Sequence, residues 1–196
     1  MKILLKSISA ITAIIFLFSA CTYEVNYKEP ASEQTNSPEE AEESTVSLYF
    51  NNTRENPDAQ DCSAVFPVSR VIKNDANLEE KIKLTVNELL LGPNPSEQNQ
   101  FYNSFFSEVT GRMLHEIKVE GSTAYIDFEG GIKTLIPNAT TSCGSQQFFS
   151  SVENTVTQFE GIEKVLYKLD GNPAEFYRWM QLVCPEGYEQ CVMNAG

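Results

Sequence analysis

Histidine and tryptophan are almost missing from this chain, one of each in 196 residues, and cations are scarce, with 14 Lys and Arg against 27 Asp and Glu. One histidine leaves little room for imidazole catalysis. The formal charge of −13 and the want of a long basic tract remove the electrostatic footprint that nucleic-acid binding requires. Phosphate loops of the Walker type, H-E-x-x-H pairs, EF-hand spacings and G-x-S-x-G elbows are also missing, so no cofactor and no such active site is expected. No apolar run reaches the roughly twenty residues that a membrane-spanning helix needs. The length admits one ordinary domain with tails and excludes a large multidomain enzyme. With 41% hydrophobic and 11% aromatic residues the chain can still bury a core, which argues against wholesale disorder.

What is present begins at the front. Lys2 and Lys6 precede the apolar run Ile8 to Phe18, which closes on Ser19 and Ala20. A basic start, a short apolar middle and a small-residue exit make residues 1–20 a secretory signal. Leu17-Phe18-Ser19-Ala20-Cys21 resembles the lipobox of bacterial lipoproteins, which implies that Cys21 is lipidated and becomes the mature N-terminus. The alternative is an ordinary signal peptide whose Cys21 pairs or is removed. Setting Cys21 aside leaves Cys62, Cys143, Cys184 and Cys191, an even set in an exported chain, as a disulfide framework requires. Three pairings are open. Cys184 and Cys191 flank a segment with Pro185 and Gly187 that favours reversal, so a local bridge is simplest, and Cys62 with Cys143 then follows by elimination. Zinc is disfavoured, because neither pair has C-x-x-C spacing and the compartment is oxidising.

Residues 21–45 carry seven glutamates against one lysine and almost no aliphatics, the composition of a solvated tether. The signal lysines contribute +2 and the tether −6 to the total of −13, leaving −9 for residues 46–196. The folded part is therefore acidic as well.

Val46 to Phe50 alternates with period two and Ala64 to Lys73 is a second extended run, so both read as strands. Asn77 can cap a helix in which Leu78, Ile82, Val86 and Leu89 recur at helical spacing, and Gly92-Pro93 ends it. Leu114 to Glu120 and Thr123 to Phe128 flank Gly121-Ser122, the spacing of a tight hairpin. A second helix is expected from about Gly144 or Ser145, carrying Phe148, Phe149, Val152, Val156 and Phe159 inward and ending at Gly161, before a last strand, Lys164 to Leu169. The order ββαββαβ predicts an α+β fold of two layers, a mixed or antiparallel sheet with two helices on one face, over residues 46–171, followed by an extension over 172–196 that holds the short disulfide loop.

Several of these segments are similar to a known family. Val46-Ser47-Leu48-Tyr49-Phe50, Leu89-Leu90-Leu91-Gly92-Pro93, Ile117-Lys118-Val119 with Thr123-Ala124-Tyr125-Ile126-Asp127-Phe128, and Thr155-Val156-Thr157-Gln158-Phe159-Glu160-Gly161-Ile162 with Asp170-Gly171 resemble the GerMN domain of sporulation and spore germination. The resemblance covers about 125 residues. It implies an envelope-exposed, often lipidated domain similar to the ring-building modules of secretion-type assemblies, and it carries over no catalytic residues. The four later cysteines and the tail from Asn172 to Gly196 look like private additions.

The remaining candidates for chemistry are few. His115, on a predicted strand, reads as an edge or surface histidine. Asp127 with Glu129 could form an acid pair of the glycosidase kind if burial raised one of them. Phe101, Tyr102, Phe105 and Phe106 are adjacent aromatics, as are Phe176, Tyr177 and Trp179 beside Met180. Core packing is the expectation for both groups, with a displayed interaction surface at Phe101, Tyr102, Tyr177 and Trp179 as the alternative. The function that follows is non-enzymatic: a lipid-anchored, extracytoplasmic envelope protein that contacts other envelope proteins or peptidoglycan, with glycan binding next and a wall-active hydrolase last.

Overall fold

The computed structural model describes residues 43–73 and 77–191. The signal segment, Cys21 and most of the tether lie outside the described residues. The chain divides into a unit over Met1–Glu39 and a unit over Glu40–Gly196, and the described residues all belong to the second.

Strand β1 (Glu43–Asn52) pairs antiparallel with β2 (Phe66–Lys73) in a register that sets Ser47 opposite Ser69. Val46, Leu48 and Phe50 fill the buried face, as their alternation requires. The strand starts three residues inside the expected tether, because Glu43, Ser44 and Thr45 find ladder partners in Lys73, Ile72 and Val71. Helix α1 (Leu78–Leu90) is capped by the Asn77 side chain, which accepts hydrogen bonds from the backbone of Glu79 and Glu80, and it buries Ile82, Val86, Leu89 and Leu90. Gly92 ends it at φ +75, where a Cβ would stand 2.3 Å from the carbonyl oxygen of Phe106. Only glycine satisfies both conditions.

The stretch after Pro93 is more ordered than its composition suggests. Helix α2 (Pro95–Gln98) forms on a reciprocal capping box between Asn94 and Glu97. The two-residue strand β3 (Tyr102–Asn103) then pairs with Asn52 and Asn51 of β1. Strands β4 (Leu114–Glu120) and β5 (Thr123–Phe128) form the expected hairpin around Gly121, with a register shift between Leu114 and Glu116. After the short helix α3 (Ile132–Leu135), helix α4 (Ser142–Val156) is capped by Thr141, begins two residues before the expected Gly144, and ends at Val156, short of Phe159 and the expected Gly161. Strand β6 (Lys164–Leu169) returns parallel to β5.

The class is α+β, and the strands fall into two three-stranded sheets, β2-β1-β3 and β4-β5-β6. The division has a local cause. Beyond β3, the second edge of β1 is occupied by side chains near the end of α4: Gln158 accepts from the Ser47 amide at 2.8 Å and donates to its carbonyl at 2.7 Å, while the Tyr49 amide donates to the Thr155 hydroxyl at 3.2 Å. The Gln158 carboxamide thus stands where a neighbouring strand's peptide would.

One core serves both sheets. Phe148 of α4 is fully buried amid the rings of Phe106, Phe128 and Tyr167, and helix α5 (Pro173–Trp179) adds Phe176 and Trp179 to the same cluster. Each such ring is worth roughly 1.5–3 kcal/mol when fully buried. The C-terminal extension is therefore part of the core: Phe176, Tyr177, Met180, Tyr188 and Cys191 are all buried. Bonds join Cys62 to Cys143, linking the β1–β2 connection to the first turn of α4, and Cys184 to Cys191 within the tail.

Candidate functional site

The carboxylates proposed for hydrolysis are engaged by the fold. Asp127 is buried and accepts the Gly171 amide at 3.0 Å, while Asp170 accepts the Gly130 amide at 2.7 Å, so two carboxylates tie the ends of β5 and β6 crosswise. Glu129 faces the Nδ1 atom of His115 at 2.9 Å. Hydrogen bonding to Glu129, helped by the negative charges of Asp127 and Glu116, raises the exposed His115 above its ordinary 6.5. This is a surface ion pair at the irregularity of β4, with no nucleophile beside it among the described residues. Nor do three His, Cys, Asp or Glu side chains converge on a metal-sized space there.

The aromatic candidates separate into two kinds. Phe106 is in the core and Phe105 packs on it edge to face, with ring centroids 4.9 Å apart. Tyr102 is partly buried and donates its hydroxyl to the Pro67 carbonyl at 3.2 Å. Phe101 alone of this group is displayed: it is 44% exposed, held at φ +71, and roofed by the Arg54 guanidinium 4.1 Å from its ring centre. Tyr177 leaves the list of surface candidates, since it is 4% exposed and its ring packs against Phe176 and Tyr188. Burial pushes its hydroxyl up to about 12. Trp179 is half-buried, edge-on to Phe148 and Phe176, and covers the core instead of projecting from the surface.

Concavities among the described residues include two with mainly apolar walls. The larger, about 600 Å³, lies between α1 and α2 and contains Arg70. That guanidinium is spent internally: it chelates both oxygens of Glu97, reaches Glu88 at 3.6 Å and donates to the Gly92 carbonyl. An anion would have to displace a buried carboxylate that also caps α2. The second is a groove of about 350 Å³ along β6, walled by Phe149, Val165, Tyr167 and Pro185 and flanked by Glu153 and Lys164. Its lip is Leu182 and Val183, 41% and 85% exposed, next to the Cys184–Cys191 bond. Glu153 receives the Tyr167 hydroxyl at 3.3 Å, yet crowding by the groove's apolar wall raises its carboxyl above 4.5.

Residues 47–175 match the profile of the family described as Germane: Sporulation and spore germination. The chain belongs to the Germane family. Solved structures similar to it include the tandem GerMN domains of the sporulation protein GerM from Bacillus subtilis, at 17% identity and a TM-score of 0.48, covering 71% of this chain and 43% of that one. The first GerMN domain of the same protein matches at 18% identity and a TM-score of 0.43, over 65% of this chain and 84% of that one. A candidate lipoprotein from Clostridium perfringens matches at 19% identity and a TM-score of 0.39, over 65% and 75%. This chain thus spans less than half the length of the tandem-domain protein. No curated protein matches it.

The Germane match ends at residue 175, so the groove's lip lies beyond it, in the C-terminal extension. Reading the sequence alone missed Glu153, Val165, Leu182 and Val183. A signal did exist: Leu182-Val183 is an apolar pair directly before Cys184-Pro185, in a segment too short to bury both faces.

Proposed function

We propose that this Germane-family protein is a non-enzymatic, lipid-anchored component of the bacterial cell envelope, fastened through Cys21, whose domain serves as a protein-assembly module in sporulation or germination. The observation that carries this reading is the apolar lip: a valine at 85% exposure beside a 41% exposed leucine, fixed by a disulfide over a groove, is surface that a partner protein would cover. The engaged carboxylates Asp127 and Glu129 weigh against the hydrolase alternative.

A photoreactive side chain at Val183 in the native envelope should give discrete protein adducts. Release of peptidoglycan fragments by the purified chain would overturn the reading. Cys21→Ser should free the protein from membranes, and full retention there would contradict the anchor. A second reading, glycan binding, is favoured by the strained and displayed Phe101 under Arg54. Co-sedimentation with peptidoglycan that Phe101→Ala abolishes would establish it in place of protein assembly.

A further inference from the structure

The edge of β6 is only partly satisfied, and the unsatisfied part opens into the groove. In a parallel ladder alternate residues turn their backbone groups toward the neighbouring strand. The amides of Lys164 and Asp170 donate to Ser122 and Phe128 on the β5 side, so the even-numbered positions face β5 and the odd-numbered ones face outward. Leu169 uses its outward pair with Asn172, at 3.1 and 3.0 Å. Tyr167 turns its amide to the Tyr177 hydroxyl. Val165 is buried at 8% exposure, has no partner for its outward N–H and C=O among the described residues, and lines the groove.

Three different recognition elements therefore converge within one groove of about 350 Å³: a free backbone donor and acceptor at Val165, an apolar lip at Leu182 and Val183, and a carboxylate at Glu153. We propose that this groove captures an extended segment of a partner protein, which pairs its backbone with Val165, lays an apolar side chain against Leu182 and Val183, and directs a lysine or arginine at Glu153. Addition of a strand to an open sheet edge supplies the main-chain bonds, and the side pockets supply selectivity. Charge decides between occupants. The domain carries −9, so a second copy would bring like charge to an acidic surface, whereas a basic segment is attracted to the domain as a whole and to Glu153, at the flank of the groove away from Lys164. The outer edge of β2 is a poorer acceptor of a strand, since Pro67 lacks an N–H and Lys73 guards its end. This inference deepens the assembly reading and rests on it.

The test uses the full-length chain in detergent micelles against a bead-bound library of acetylated octapeptides. The enriched sequences should alternate apolar residues and carry a lysine or arginine. Measured by fluorescence anisotropy, methylating one ladder amide of the lead peptide should weaken binding about tenfold, a result that needs no protein variant. Val183→Asp should weaken it at least as much, with the milder Val183→Thr intermediate. Glu153→Gln should cost the basic peptide about fivefold and its norleucine counterpart nothing. No enrichment, acidic consensus sequences, or indifference to amide methylation would overturn the proposal. Photocrosslinking in the envelope separates its failure from that of the assembly reading. Adducts at Phe101 but none at Val183 would remove the groove and leave an assembly module, no adducts would remove both, and adducts joining Val183 of two copies would replace the partner by self-association.

Discussion

The second edge of β1 and the outer edge of β6 face the same problem and meet it differently. On β1 the backbone of Ser47 and Tyr49 is closed by Gln158 and Thr155, two side chains beyond and within α4 that substitute for a strand. On β6 the closure by Asn172 and Tyr177 stops at Tyr167, leaving the buried Val165 without an outward backbone partner among the described residues, beneath an exposed apolar lip. Each edge also has its own disulfide. Cys62–Cys143 anchors the helix that closes β1, and Cys184–Cys191 holds the lip over β6. The fold thus fills one edge with dedicated side chains and leaves part of the other without a backbone partner among the described residues.

The largest effect should come from the closed edge. Replacing Cys62 and Cys143 together by alanine removes a crosslink spanning 81 residues and should lower stability by about 4.5 kcal/mol on loop-entropy grounds, read from urea denaturation. Replacing Cys184 and Cys191, separated by 7 residues, should cost about 2.5 kcal/mol by the same relation. Peptide capture should then fall more than stability does, because the lip loses its fixed position. Equal damage to capture by both pairs would erase the distinction between the edges.

Gln158→Ala removes two hydrogen bonds from β1 and should cost about 1 kcal/mol. It should also introduce concentration-dependent self-association in analytical ultracentrifugation, since the backbone of Ser47 is then bare. A strictly monomeric Gln158→Ala would show that the plug is dispensable.

The smallest effect concerns pH at the open edge. The carboxyl of Glu153 in the fold lies above the 4.5 of an unperturbed glutamate because the groove wall crowds it. The native state therefore holds that proton more tightly than the unfolded chain, and the associated stability is full below pH 4.5 and lost as pH rises through the folded value. Glu153→Gln should flatten that part of the profile and raise Tm at pH 7 by about a degree. An unchanged pH profile would place Glu153 in open solvent, away from the groove.

Features written in neighbouring residues were legible without the structure. Asn77 and Gly92 mark the ends of α1, and Gly121-Ser122 sets the β4–β5 hairpin, because caps and tight turns are satisfied within a few residues. The start of α4 was placed two residues late, since its cap Thr141 sits in a run of Ala-Thr-Thr-Ser with several candidate caps. Strand β3 was not legible at all: Tyr102 and Asn103 are extended only because Asn51 and Asn52 present an edge to them. The candidate site divides in the same way. Alternating aromatics in the tail signalled a buried face, but whether Tyr177 or Trp179 lay innermost depended on Tyr167 and Phe148, residues from other elements.

By itself the sequence determined an acidic chain with a basic and apolar front, a glutamate-rich stretch after it, the Germane segments in order, and the helices and hairpin that local hydrogen bonding can enforce. Tertiary structure alone decided that the strands form two sheets, that the tail joins the core, and that one backbone edge is plugged while another opens beside Val183. The physical reason is one of range: caps and turns are completed by residues close in the chain, whereas an edge is open or closed according to what arrives there from a hundred residues away, as Gln158 reaches Ser47 across 111 positions.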